Sequence, residues 1–156
     1  MQQLRIAGLV KESVVDGSGV RFVIFTQGCA MHCEGCHNPD THDFAGGYLV
    51  GINELFNAID KEKLITGVTF SGGEPFMQAA ACAELAKSIK QKRPDLNTLS
   101  YSGYYYADLL KMAETNPDIN EFLKYIDILI EGPYEVAKRD LDLAFRGSSN
   151  QNIVYL

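Results

Sequence analysis

The 156-residue sequence has no run of about 18 apolar residues, no low-complexity segment and no internal repeat. The missing apolar run predicts that the chain has no membrane-spanning helix and no membrane partner. Basic residues are also few: 14 lysines and arginines stand against 20 aspartates and glutamates, for a net charge of −6. That balance disfavours a nucleic-acid partner, which usually meets a basic surface. Residues 1–5 (Met-Gln-Gln-Leu-Arg) contain no apolar signal segment, so we expect a cytoplasmic protein.

Cysteine is the scarce residue that says most about function. The chain has four, and three of them lie close together as Cys29-x3-Cys33-x2-Cys36. A reducing cytoplasm disfavours a disulfide framework. Three thiolates on one short loop can bind three irons of a cubane [4Fe–4S] cluster, whereas an electron-carrying cluster is normally closed by four cysteines. Because no fourth cysteine is near, the trio indicates a cluster whose last iron is open to another ligand.

A zinc site is the alternative reading of the same residues. The trio could form a tetrahedral set with His32, His37 or His42. Zinc modules usually show two separated ligand pairs, however, and the sequence has no second pair. We therefore expect His32 and His42 to be solvated loop residues. A non-enzymatic iron–sulfur or zinc-binding module stays open as the rival interpretation.

The fourth cysteine, Cys82, has a different pattern around it. Cys82, Leu85, Ala86 and Ile89 recur at offsets of three, four and seven, which places them on one face of a helix. Free cysteine commonly behaves as a small buried hydrophobe. We expect Cys82 to be a core residue and not a cluster ligand.

Length and periodicity predict one domain over residues 1–156 with an α/β fold and a mostly parallel sheet. The composition, 46% hydrophobic and 22% charged, is ordinary for a globular chain of this size. Strands are predicted at residues 20–26, 67–71, 97–101 and 126–130. Helices are predicted from Ile52, over residues 78–92 and over residues 107–114. This alternation of strands and helices is typical of parallel α/β sheets.

Three chemically distinctive segments follow directly after predicted strands. The cysteine trio follows the first, residues 71–74 (Ser-Gly-Gly-Glu) the second, and residues 101–103 (Tyr-Ser-Gly) the third. In parallel α/β folds, ligands bind at the carboxyl ends of the strands. We therefore expect the three segments to gather on one rim of the sheet.

The cysteine trio, with Gly72-Gly73-Glu74 after the next strand, resembles the radical S-adenosylmethionine superfamily. The resemblance implies a small partial (β/α) barrel in which Cys29, Cys33 and Cys36 bind a [4Fe–4S] cluster. The open iron would then chelate the amino and carboxylate groups of S-adenosylmethionine. Superfamily members often carry an aromatic residue at the position of Gly35, so here adenine would meet the backbone of residues 35–37. The cofactor-binding residues implied in this way are Gly35, Cys36, His37, Ser71, Gly72, Gly73 and Glu74.

Other segments narrow the resemblance to the activating proteins of glycyl radical enzymes. Residues 16–21 (Asp-Gly-Ser-Gly-Val-Arg) look like their entry segment, although a plain glycine-rich turn is an equally good reading. Residues 101–104 (Tyr-Ser-Gly-Tyr) and 146–151 (Arg-Gly-Ser-Ser-Asn-Gln) resemble segments of the anaerobic ribonucleoside-triphosphate reductase activators. Residues 37–39 (His-Asn-Pro) look closer to the pyruvate formate-lyase activators. Activation of another glycyl radical enzyme, such as pyruvate formate-lyase, therefore stays open as an alternative.

The reaction implied by this resemblance is the reductive cleavage of S-adenosylmethionine at the cluster. The resulting radical would create a glycyl radical on the large subunit of an anaerobic ribonucleoside-triphosphate reductase. The electron would come from a donor such as flavodoxin or ferredoxin. No catalytic residue beyond the cluster is needed, because the step requires no general acid or base.

Overall fold

A seven-stranded sheet and four α-helices organise the residues that the computed structural model describes, 2–31 and 39–156. The strand order is β3-β1-β2-β4-β5-β6-β7. The strands are β1 Gln3–Ser13, β2 Arg21–Thr26, β3 Tyr48–Gly51, β4 Gly67–Gly72, β5 Asn97–Ser102, β6 Ile128–Glu131 and β7 Asn152–Tyr155. The helices are α1 Ile52–Lys61, α2 Ala79–Lys92, α3 Tyr106–Ala113 and α4 Pro117–Lys124.

The centre of the sheet is parallel and its margins are antiparallel. Strands β2, β4, β5 and β6 pair in parallel in that order. Strand β1 is antiparallel to β2 and β3, and β7 is antiparallel to β6, so that five of these seven strands run in one direction. The predicted α/β fold with a mostly parallel sheet is confirmed. Strands β1, β3 and β7 and helix α4 were not predicted.

The helices cover one face of the sheet and form the core with it. Alternate residues of the central strands, such as Phe22 and Phe70, are buried in the same cluster as the apolar sides of α1, α2 and α4. The Phe122 ring of α4 lies 5.2 Å from the Phe70 ring, edge to face. Cys82 is fully buried within this cluster, as predicted. No helix in residues 2–31 and 39–156 is both long and apolar enough to cross a membrane.

The opposite face of the sheet is more polar and is organised by a buried arginine. Arg21 is fully buried and donates hydrogen bonds to Thr69 Oγ1 at 2.7 Å, Val68 O at 3.1 Å and Ser18 O at 3.1 Å. Burial lowers the pKa of its guanidinium. Gly17 has a φ of +127°, and a Cβ there would lie 2.7 Å from Arg21 Cδ. Residues 16–21 therefore form a glycine turn folded around Arg21.

Candidate functional site

A cleft of about 560 Å³ lies at the carboxyl ends of the four parallel strands. Cys29 follows β2, residues 71–74 end β4, residues 101–103 end β5 and Gly132 follows β6, and all of them line the cleft. The predicted gathering on one rim is confirmed for Cys29 and for residues 71–74 and 101–103. The volume lies within the range of pockets that hold small organic ligands.

Cys29 is the member of the predicted cysteine trio that the structure describes, and it is 8% exposed at the cleft. Its backbone N–H donates to the His42 carbonyl at 3.1 Å, and the Gly28 N–H donates to the Thr41 carbonyl at 2.6 Å. Residues 28–29 and 41–42 therefore lie side by side at the cleft. His42, predicted to be solvated, is instead half-buried and lines the cleft. The predicted site residues Cys33, Gly35, Cys36 and His37, together with His32, lie outside the described residues.

The glycine pair that ends β4 is required by the backbone packed against it. Gly72 has a φ of +91°, and a Cβ there would collide with the backbone of Thr26. A Cβ on Gly73 would collide with the carbonyl of Gly28. The Gly73 N–H donates to Thr26 O at 2.7 Å, and the Glu74 N–H donates to Gly28 O at 2.9 Å. The glycines thus let the segment that leads into Cys29 dock directly on the end of β4.

Glu74 is a buried carboxylate held in place by three donors. It is 1% exposed; Oε1 accepts from the Gly103 N–H at 2.7 Å, and Oε2 accepts from the Phe76 N–H at 3.1 Å and Ser102 Oγ at 3.0 Å. Burial raises its pKa to about 7, although these hydrogen bonds act in the opposite direction. An ionised carboxylate has about four acceptor positions. With three occupied by described donors, Oε1 retains one position for a donor in the cleft.

Ser102 and Gly103 are functional partners of Glu74 that the predicted site omitted. Their position directly after a predicted strand was the available signal, since residues there reach the same rim. Gly103 has a second role, because a Cβ there would collide with the sulfur of Met31. The bare glycine therefore brings the end of β5 against both Glu74 and the segment that follows Cys29.

The far wall of the cleft is formed by residues 143–151, which fold back over the face of the sheet that carries Arg21. Tyr101 Oη donates to the Phe145 carbonyl at 2.8 Å, and burial raises the pKa of Tyr101. Phe145 has a left-handed φ of +60°, which is unusual for an aromatic residue. Gln151 Oε1 accepts from the Gly147 N–H at 2.8 Å, and its Nε2 donates to the Gly132 carbonyl at 3.0 Å. The wall is thus tied to the ends of both β5 and β6.

Comparisons with known proteins agree with this site. The model of a 4Fe-4S single cluster domain matches residues 15–154. The anaerobic ribonucleoside-triphosphate reductase-activating protein of Enterobacteria phage T4 is 33% identical over 144 residues, covering 89% of this chain and 86% of that protein. The protein of the same name from Haemophilus influenzae is 31% identical over 149 residues, covering 90% of each. The pyruvate formate-lyase-activating enzyme of Clostridium pasteurianum is 36% identical over 114 residues, covering 69% of this chain and 48% of that enzyme.

A solved structure supports the fold. QueE from Escherichia coli superposes with a TM-score of 0.50 at 15% identity, covering 65% of this chain and 52% of that one. The reductase-activating relatives, in contrast, match along about nine tenths of the chain, and the match to the 4Fe-4S single cluster domain spans residues 15–154, which include the cleft from Cys29 to Gln151. The chain therefore belongs to the family of the anaerobic ribonucleoside-triphosphate reductase-activating proteins, which are radical S-adenosylmethionine enzymes.

Proposed function

We propose that this enzyme activates an anaerobic ribonucleoside-triphosphate reductase by generating a glycyl radical on its large subunit, using reductive cleavage of S-adenosylmethionine at a [4Fe–4S] cluster. The observation that carries the proposal is the match along nine tenths of the chain to proteins named as activators of that reductase. The cleft supports it, because Cys29 and residues 71–74 line the same cavity.

Cys29, Cys33 and Cys36 would hold the cluster. Cys29 supports this assignment, because it lies at the cleft directly after Gly28, on which Gly73 packs. When bound, the reduced cluster would supply one electron for the cleavage of a carbon–sulfur bond of S-adenosylmethionine, which would yield methionine and a 5′-deoxyadenosyl radical able to remove a hydrogen atom from a glycine Cα. The protein itself binds, orients and shields the reactants.

Residues 71–74 would receive the methionine amino group. The free acceptor position on Glu74 Oε1 suits an ammonium donor, since a hydrogen bond between two charged groups is stronger than a neutral one. An incoming ammonium would also favour the ionised form of a carboxylate whose pKa burial has raised to about 7. Ser71, Gly72 and Gly73 would contribute mainly through their backbone at the cleft wall.

The remaining contacts are proposed from the family resemblance. Adenine would meet the backbone of Gly35, Cys36 and His37, since Gly35 has no side chain to stack on the base. The electron donor would be flavodoxin or ferredoxin, and the enzyme would act in the cytoplasm under anaerobic conditions. Residues 1–156 would work as one radical S-adenosylmethionine domain.

Activation of pyruvate formate-lyase is the second candidate. It is favoured by identities of 36–39% to pyruvate formate-lyase-activating enzymes. Those matches cover 48–49% of the relatives' length, whereas the reductase activators match along 86–90% of theirs. Residues 146–151, which lie in the far wall of the cleft, are part of the resemblance to the reductase activators. We therefore favour the reductase as the partner.

Anaerobic reconstitution followed by two assays tests the proposal. The reduced protein with S-adenosylmethionine should form 5′-deoxyadenosine, and addition of the reductase should give the electron paramagnetic resonance signal of a glycyl radical. Parallel samples with pyruvate formate-lyase decide between the partners. A glycyl radical on the formate-lyase alone would contradict our choice of partner. An intact cluster with no 5′-deoxyadenosine would contradict the enzyme reading and favour a binding module.

Single cysteine substitutions test the cluster assignment. C29A, C33A and C36A should each abolish 5′-deoxyadenosine formation, because each removes one of three ligands. C82A is the matched control: Cys82 is buried in the helical core, so iron content and cleavage should stay close to wild type. Loss of iron from C82A, measured by iron and sulfide analysis, would show that the three-ligand model is wrong.

A further inference from the structure

Arg146 is the only lysine or arginine among the described residues that line the cleft. No described carboxylate lies within ion-pair distance of its guanidinium. By contrast, Arg93 on the surface forms ion pairs with Asp60 and Asp95. Asp16 and Glu74 also line the cleft, but neither forms an ion pair with Arg146, so its charge is suited to an anionic group that arrives with a reactant.

The described hydrogen bonds of Arg146 leave three of its five N–H donors unused. Nε donates to the Ala144 carbonyl at 3.2 Å, and Nη1 donates to the Gln151 carbonyl at 3.4 Å. A guanidinium has five N–H donors in a planar fork. Within residues 2–31 and 39–156, no acceptor engages Nη2, so Nη2 and the second hydrogen of Nη1 are available. A carboxylate is the group whose two oxygens match that fork.

The backbone around Arg146 is fixed on both sides. Before it, the Phe145 carbonyl accepts from Tyr101 Oη. After it, the Gly147 and Ser148 N–H groups donate to Gln151 Oε1 at 2.8 and 3.3 Å. A backbone segment that is held in this way before binding loses less entropy when a ligand arrives. Arg146 thus lies on a turn whose backbone is held in place before a ligand binds.

The position of this turn separates it from the proposed methionine site. Gln151 ties it to Gly132, which follows β6. With strands about 4.8 Å apart, the end of β6 lies about 10 Å along the sheet from the end of β4 and about 14 Å from that of β2. In the proposed function, the S-adenosylmethionine carboxylate is used at the open iron, on the β2 and β4 side. The anionic group that binds Arg146 would then belong to the other reactant, the protein that receives the glycyl radical.

Apolar side chains that line the same cleft fit a peptide as that reactant. Val15 lines the cleft and is 72% exposed, and Leu143 lines it three residues before Arg146. Val14, next to Val15 in sequence, and Leu141, two residues before Leu143, are 69% and 74% exposed. Exposed apolar side chains and a cation without an ion pair are complementary to a segment that carries apolar residues and a carboxylate.

We propose that Arg146 is a specificity-determining residue that binds a carboxylate on the partner segment that carries the reacting glycine, with Val15 and Leu143 contacting that segment's apolar side chains. The carboxylate is an acidic side chain or a chain terminus close to the glycine. This inference rests on the proposed function and names how the same cleft recognises its protein substrate.

The test compares R146Q, R146K and R139Q in the reconstituted enzyme. Arg139 is an exposed arginine that does not line the cleft and serves as the matched control. We measure the KM for the reductase and the kcat of glycyl radical formation, and separately the Kd for S-adenosylmethionine. R146Q should raise the KM for the reductase about ten- to hundredfold, the usual effect of losing a hydrogen bond between charged groups. R146K should recover part of that loss, and R139Q should match wild type.

Salt supplies an independent readout. Raising ionic strength should increase the wild-type KM for the reductase more than that of R146Q, because salt screens the ion pair that only the wild type can form. An unchanged KM in R146Q would overturn the inference. A loss of S-adenosylmethionine affinity in R146Q as large as the rise in KM would also overturn it, since the carboxylate would then be that of the small molecule. If the wild-type enzyme forms no glycyl radical on the reductase, the result contradicts the proposed function itself and, with it, the inference about Arg146.

Discussion

Glu74 shows how one residue can be structural and functional together. Its three described hydrogen bonds join the ends of β4 and β5, yet its side chain lines the cleft. Burial raises its pKa from 4.5 to about 7. Below pH 4.5 the group is neutral in both the folded and unfolded states. Between 4.5 and 7 only the unfolded state ionises, so the folded protein loses up to about 3 kcal/mol of stability as pH rises through this window.

The same shift predicts how S-adenosylmethionine binding depends on pH. If Glu74 accepts the methionine ammonium, the ionised carboxylate is the competent form, and affinity should rise by up to about tenfold between pH 6 and 8. Equilibrium dialysis of the anaerobic, reconstituted protein measures this directly. In E74Q the dependence should flatten, because the amide does not titrate. A wild-type Kd that is constant over this range would contradict the proposed role of Glu74.

At the scale of elements, the site depends on one contact between two strand ends. The segment after β2 docks on the end of β4 through two backbone hydrogen bonds, at positions where a Cβ would collide with the partner backbone. This contact sets where Cys29 lies relative to Glu74. The glycine pair therefore positions the cysteine segment, in addition to any backbone contact that it makes with a ligand.

Substitution of Gly73 by alanine tests that conclusion. In G73A the new Cβ meets the Gly28 carbonyl, so we expect a loss of about 2 kcal/mol in the free energy of unfolding and lower iron content after reconstitution. Gly8, in β1, is the matched control, because a Cβ there meets nothing within 4 Å. G8A should lie within about 0.5 kcal/mol of wild type. Equal iron loading in G73A and G8A would show that the contact does not position the cysteine segment.

For the whole molecule, local patterns predicted the parallel centre well and its margins poorly. The four parallel strands and helices α2 and α3 were predicted with bounds within two residues of those observed, and α1 begins at the predicted Ile52, whereas α4 was not predicted. Strand β1 mixes charged, polar and apolar residues and has no clear period. Strands β3 and β7 have four residues each, none of them buried, whereas the equally short β6 is mostly buried and apolar. Strands β1, β3 and β7 form through pairing with neighbours that are distant in sequence.

In the site, too, local patterns predict some features and miss others. The strand-end rule alone predicts that residues 71–74 and 101–103 lie on one rim. The bond from the Gly103 N–H to Glu74 joins residues 29 positions apart, and the bond from Tyr101 to Phe145 joins residues 44 apart. Such pairs depend on tertiary packing, and no local pattern predicts them. The far wall of the cleft therefore emerged only from the structure.

With the far wall, the cleft has two proposed binding regions, one for S-adenosylmethionine and one for the reductase. Each region should become protected only when its own ligand is added. S-adenosylmethionine alone should slow amide hydrogen exchange in residues 71–74 and 101–103, because these line the proposed methionine site. The reductase should add protection in residues 143–149, where Arg146 is presented. Exchange in β3, at the far margin of the sheet, should change in neither case. Full protection of residues 143–149 by S-adenosylmethionine alone would show that the two regions are one binding site and that Arg146 binds S-adenosylmethionine. Protection of these residues only after the reductase is added requires that the far wall contact the protein partner.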